Sequence, residues 1–146
     1  MLTRRTLLGA LAAGIALPAH AQARPIVDVV KTPTCGCCNG WIAHMRRAGF
    51  VVRTRDVPDT TPFARRLGVP DDLRSCHTAR VGGYAIEGHV PAADVQRLLR
   101  ERPAAAGIAV PGMPIGSPGM EMGSRRQPYQ TILFTRAGRQ TVFARH

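Results

Sequence analysis

Acidic residues are scarce in this chain: nine Asp and Glu stand against 20 Lys and Arg in 146 residues, a formal charge of +11. Lysine is nearly missing too, with Lys31 alone, so the positive charge is arginine. No block of adjacent Lys and Arg concentrates it. Nucleic-acid binding uses a clustered basic patch or stripe, so nucleic acid is not expected as a partner. The scattered basic surface suits solubility or contact with anionic membrane or partner surfaces. No internal repeat is visible. The cysteines also lack the spacing of a disulfide framework. Three of the four fall within Cys35-Gly36-Cys37-Cys38, and bonds among them would close loops too small for much entropic gain.

What is present begins with Arg4-Arg5, an apolar run from Leu7 to Leu17, and the small-x-small stretch Ala19-His20-Ala21. This predicts a secretory signal peptide over residues 1–21, too short and wrongly flanked to span a membrane. The paired arginines point to the twin-arginine route, which carries folded proteins, ahead of Sec export. Cleavage after Ala21 leaves 125 of the 146 residues, enough for one domain over residues 22–146. The mature chain loses two arginines, leaving 18 basic residues against nine acidic, about +9. The expected compartment is the periplasm, with no transmembrane span in the mature chain.

Ile26-Val27-Asp28-Val29-Val30 is a short β-branched run and predicts a buried strand. Trp41, Ile42 and Met45 recur at helical spacing between Cys38 and Ala48, and Gly49 ends that helix. A second strand is expected over Phe50 to Val57 and a short helix over Thr61 to Leu67. Thr78 to Val81 and Tyr84 to Glu87 flank Gly82-Gly83, a hairpin signal. Pro91 opens a last helix carrying Val95, Leu98 and Leu99. The order β-CxxC-α-β-α-β-β-α is that of the thioredoxin fold, so the expectation is an α/β, thioredoxin-like single domain. Gly107 to Gly123 reads as a Met-, Gly- and Pro-rich loop without helix or strand, and Tyr129 to Phe134 with Gln140 to Ala144 as a C-terminal hairpin.

Cys35 and Cys38 form a C-x-x-C between strand and helix, where the helix dipole and free N–H groups favour a thiolate. Redox exchange and metal ligation both need that thiolate. Cys37 shifts the balance: it is a third thiol where thioredoxins typically carry Pro, and a third thiol scrambles a redox pair unless a metal occupies all three. Ser75-Cys76-His77-Thr78 leads into the third strand, where thioredoxins have a cis-Pro loop, and contains no Pro. A thiol and an imidazole stand there instead. Met113, Met120 and Met122 lie in the loop, where no apolar period explains them. Thiolates and thioethers together are the ligand set of a soft ion, above all Cu(I). The candidate metal ligands are therefore Cys35, Cys37, Cys38, Cys76, His77, Met113 and Met120. His89 reads as a helix-start residue held by local hydrogen bonds, His44 as a solvated surface residue, and Met45 as core.

Taken together these residues resemble the CopG-type family of periplasmic copper-resistance proteins. The resemblance rests on Thr34-Cys35-Gly36-Cys37-Cys38 with Trp41, Ser75-Cys76-His77-Thr78-Ala79, Gly83-Tyr84, and Ile86-Glu87-Gly88-His89-Val90-Pro91. It continues through Gly107 to Pro114 and Gly116-Ser117-Pro118-Gly119-Met120-Glu121. It implies a thioredoxin-like fold, export to the periplasm, copper held by the cysteine cluster, and a role in copper tolerance with some redox capacity. Copper ions and other periplasmic copper-handling proteins are the implied partners. Two functions follow: a binding protein holding Cu(I), or a thiol-disulfide or copper oxidoreductase with Cys35 as nucleophile and Cys38 as resolving thiol.

Overall fold

The computed structural model describes residues 24–146. The signal peptide expected over residues 1–21 lies outside the described residues. The elements run β1 (Ile26–Lys31), α1 (Gly36–Arg47), β2 (Val51–Asp56), α2 (Thr61–Leu67), a single 3-10 turn (Asp71–Leu73), β3 (His77–Val81), β4 (Tyr84–Gly88), α3 (Ala92–Glu101), β5 (Gly107–Val110), β6 (Gln130–Phe134) and β7 (Gln140–Arg145). The strands form one seven-stranded sheet in the order β2-β1-β3-β4-β5-β6-β7. The β1–β2 and β4–β5 pairs are parallel; the other neighbours are antiparallel. This is a mixed α/β single domain, with three α-helices among the described residues.

Apolar spacing sets which face each helix buries. Cys38, Trp41, Ile42 and Met45 recur three and four apart on α1, so one stripe faces the sheet. Trp41, Ile42 and Met45 pack with Val95 and Leu98 of α3 against Val27, Val29, Ala79, Val81, Ile86, Ile108 and Val110. The opposite face of the sheet holds a smaller cluster in which Ala64 of α2 meets Ala85, Ala109 and Phe134. Ala85 and Ile86, like Ile108 and Ala109, are neighbours in sequence and fall in different clusters, as the period of two along a strand requires.

The glycine- and proline-rich stretch departs from expectation at its start. Gly107–Val110 is not loop but a fully buried strand beside β4. Its glycine is there for close approach: a Cβ on Gly107 would come within 2.1 Å of the Ala85 carbonyl oxygen. Irregular chain runs from residue 111 to 129, carrying one bridge between Met122 and Arg125. The C-terminal hairpin forms as expected, with a register irregularity at Thr131/Ile132.

Candidate metal centre

The sheet register brings the two cysteine segments together. Lys31, the last residue of β1, pairs with His77, the first of β3. Cys76 therefore lies just beyond the sheet, at the end where β1 leaves for α1. Between them the chain turns tightly, the Cys35 N–H donating to the Thr32 carbonyl at 3.2 Å. Cys35 is the extended residue that precedes α1, which begins two residues earlier than its apolar pattern predicts. Cys37 and Cys38 consequently occupy the first helical turn. No acidic residue and no capping side chain occupies that turn, so its N–H groups and dipole favour negative charge.

All four sulfurs lie within 4.8 Å of one another. Cys35 and Cys38 are joined as a disulfide, while Cys37 and Cys76 are free thiols. The Cys37 sulfur is 3.5 Å from that of Cys35 and 3.7 Å from that of Cys76, and Cys38 is 3.7 Å from Cys76. Burial, and then the adjacent Cys37, push the Cys76 thiol up to about 12.

Two imidazoles complete the group. His77 is fully buried, its Nδ1 3.4 Å from the Cys76 sulfur and its ring 4.5 Å from Trp41. Burial, and then His89, hold it down at about 3, so it is neutral. Its Nε2 is buried without a hydrogen-bond partner. His89 is also fully buried, with Nε2 3.1 Å from the Cys76 sulfur and Nδ1 2.8 Å from the Pro118 carbonyl oxygen. A carbonyl only accepts, so Nδ1 carries the proton and Nε2 is the acceptor facing the Cys76 S–H. Burial lowers the His89 pKa as well. Cys76, His77 and His89 form a second compact donor group that shares Cys76 with the first.

His89 is therefore not a locally bonded helix-start residue. Its partner is 29 residues away, a distance no local pattern encodes. His44 also departs from expectation: half-buried on α1, it accepts the Ala92 N–H at 2.9 Å and so caps α3. Met45 is fully buried, as expected.

The loop lies against the site through its backbone. The Gly112 carbonyl accepts from the Ser75 hydroxyl, which places neighbouring Met113, half exposed, next to the Cys76 segment. Gly119 rests on α1: a Cβ there would fall 2.7 Å from the Cys37 carbonyl oxygen and 2.6 Å from the Trp41 nitrogen. Met120 follows it, partly buried, whereas Met122 is half exposed.

The Cys76 segment is anchored from below by Glu87, fully buried on β4. Its carboxylate accepts the Ser75 N–H at 2.8 Å and the Thr78 hydroxyl, and lies 3.2 Å from Arg74 Nε. Burial raises its pKa, against the opposing pull of Thr78, Ser75 and Arg74. In the sequence Glu87 figures only as a strand end and within the stretch 86–91 that carries the resemblance, and Arg74 not at all, since nothing local marks a carboxylate as buried.

Four sulfurs and two neutral imidazoles within reach of one another are a soft donor set, suited to Cu(I) and Zn²⁺ ahead of hard cations. Among the described residues no helix is long and apolar enough to cross a membrane. A comparison with curated proteins finds no match. The model of a family described as a protein of unknown function, DUF411, matches residues 73–120, the span from the 3-10 turn through Met120. Two solved structures, form 2 and form 1 of a copper resistance protein CopG, are similar over most of the chain. Form 2 is 46% identical, with a TM-score of 0.81, covering 85% of this chain and 99% of that one. Form 1 is 47% identical, with a TM-score of 0.81, covering 85% of this chain and 98% of that one.

Proposed function

Since the chain belongs to the CopG-type copper-resistance family, we propose that it is a periplasmic copper-binding protein of copper tolerance that holds Cu(I) on its cysteine cluster. The observation that carries this reading is the meeting of all four sulfurs within 4.8 Å of one another. Cys35, Cys37, Cys38 and Cys76 are the proposed thiolate ligands, with His77, Met113 and Met120 as further donors. His89 joins them on the strength of its Nε2, which faces the Cys76 sulfur. The fold assignment that goes with this reading is thioredoxin-like. It is supported by the order β1-α1-β2-α2-β3-β4-α3 and by the adjacent strands β2-β1-β3-β4, with the C-x-x-C between β1 and α1. Periplasmic location is supported by the signal-like N-terminus, and a mature chain from residue 22 follows from the same reading.

Copper binding on this account is coupled to the redox state of the pair. A disulfide sulfur is a poor ligand, so Cys35 and Cys38 become donors only after the S–S bond takes up two electrons and two protons. A dithiol reductant supplies them and is itself oxidised to its disulfide. Ligation then displaces the thiol protons, including the one held on Cys76. The helix N-terminus stabilises the negative charge left on Cys37 and Cys38.

A second reading is favoured by one observation, the Cys35–Cys38 disulfide in contact with two free thiols. That arrangement suits a thiol-disulfide or copper oxidoreductase. Copper uptake by the reduced and disulfide forms, measured under a competing chelator beside insulin reduction, separates the two. The binding account expects the reduced form to take up more Cu(I) and insulin reduction to be slow. Equal uptake by both forms, with insulin reduction at the rate of an ordinary thioredoxin, would favour the oxidoreductase.

A further inference from the structure

The sheet face opposite α1 and α3 is only partly covered. α2 lies over β3 and β4, and a groove of about 670 Å³ remains between it and β1–β2. The strand residues that turn their apolar neighbours to the α1 side turn Asp28, Arg53, Arg55 and Arg80 to this one. With Arg66 of α2 the groove collects four guanidinium groups against a single carboxylate, Asp28. β2 is the terminal strand of the sheet, so the groove is open along its length.

The arginines are held, not loose. Arg53 Nε lies 2.8 Å and Arg80 NH2 3.4 Å from Asp28, yet their side chains remain 63% and 56% exposed. Arg55 and Arg66 lie over the Phe63 ring at 6.0 and 5.6 Å. Guanidinium groups fixed by one partner keep donors free for another and lose less freedom on binding it. Arg53 and Arg55 are two residues apart on one face of a strand, roughly 6.5–7 Å. That is the spacing of alternate side chains on an extended chain laid beside them. A recessed groove receives a peptide segment, whereas a flat membrane surface meets protruding side chains first.

We propose that this groove docks an acidic, extended segment of a partner protein, with carboxylates two residues apart meeting Arg53 and Arg55. The inference is independent of the copper reading, since no groove residue belongs to the cysteine cluster. The alternative it must beat is that arginines on an edge strand only keep other strands away.

The test uses the full mature protein, a short synthetic peptide alternating glutamate and threonine, and vesicles of phosphatidylcholine with phosphatidylglycerol. Binding is followed by fluorescence anisotropy and by amide shifts. The expected result is saturable peptide binding, with shifts confined to β1, β2, α2 and the Arg80 position of β3. It should weaken tenfold or more in R55Q/R66Q and be retained in R139Q/R145Q, at the opposite edge of the sheet. Neither Arg55 nor Arg66 is in an ion pair with a neighbouring carboxylate, and a thermal melt verifies that the variant is folded. No binding at millimolar peptide would overturn the proposal. So would equal loss in both double variants, or vesicle binding that depends on Arg55 and Arg66 while the peptide fails to bind.

Discussion

The sulfur of Cys76 lies 3.1 Å from Nε2 of His89, a residue 13 positions further along the chain and oriented by the Pro118 carbonyl through its other nitrogen. The pair links three segments: the start of β3, the turn after β4, and the loop that crosses α1. The Pro118 carbonyl fixes the His89 ring in one orientation and one tautomer, so that Nε2 presents its lone pair at the position of the Cys76 sulfur.

Replacing His89 by Gln removes the proposed imidazole donor and should weaken Cu(I) binding by at least the roughly 10–100-fold found when groups that only orient a metal ligand are removed. The number of copper ions bound should not change, because no cysteine is lost. A competitive titration of the reduced protein measures both quantities. Unchanged affinity would show that His89 only packs the loop.

His77 predicts how the metal-free protein responds to acid. Its pKa is held at about 3, below the 6.5 of an exposed histidine. In this window the unfolded chain binds a proton that the folded chain refuses. The stabilisation is full above pH 6.5 and is lost as the pH falls towards 3. Near the middle of that window the slope for one proton is about 1.4 kcal/mol per pH unit. His89 and His44 are lowered too and add in the same direction. Glu87, with its raised pKa, acts in the opposite sense. Urea unfolding of wild type and H77N between pH 6.5 and 4.5 cancels these shared contributions. The wild type should lose stability faster with acid by about one proton's worth, and parallel curves would refute the assignment.

Glu87 gives a stability prediction of a different kind. E87A leaves the largely buried Arg74 guanidinium without its carboxylate and the Ser75 N–H without its acceptor. Breaking a buried ion pair from one side costs about 3–5 kcal/mol. E87Q keeps an acceptor for the Ser75 N–H and should cost less. Denaturant unfolding of the two variants checks the order, and a cost near zero for E87A would mean that the Cys76 segment is held by other contacts.

The helices and most strands were legible because their signals are local. Trp41, Ile42 and Met45 show one buried stripe by spacing alone, and Gly82-Gly83 marks the β3–β4 turn. Gly107–Val110 was not legible, because glycine was read as a breaker while its actual role is to let β5 approach Ala85. At the site, the close meeting of Cys35, Cys37, Cys38 and Cys76 follows from motif spacing plus the β1–β3 register. The parts played by His89, His44 and Glu87 depend on partners far off in the chain. Pro118, Ala92 and Ser75 reach them only once the sheet and the loop are assembled.

The most direct test of the central claim is a Cu(I) titration of the fully reduced protein against a competing chelator, with wild type and C37S side by side. Cys37 is partly accessible and lies within 3.7 Å of both Cys35 and Cys76, so its loss should spare the fold. The account predicts an unchanged melting temperature for metal-free C37S and fewer copper ions held than by wild type. A C37S variant that retains as much copper as wild type, equally tightly, would contradict it.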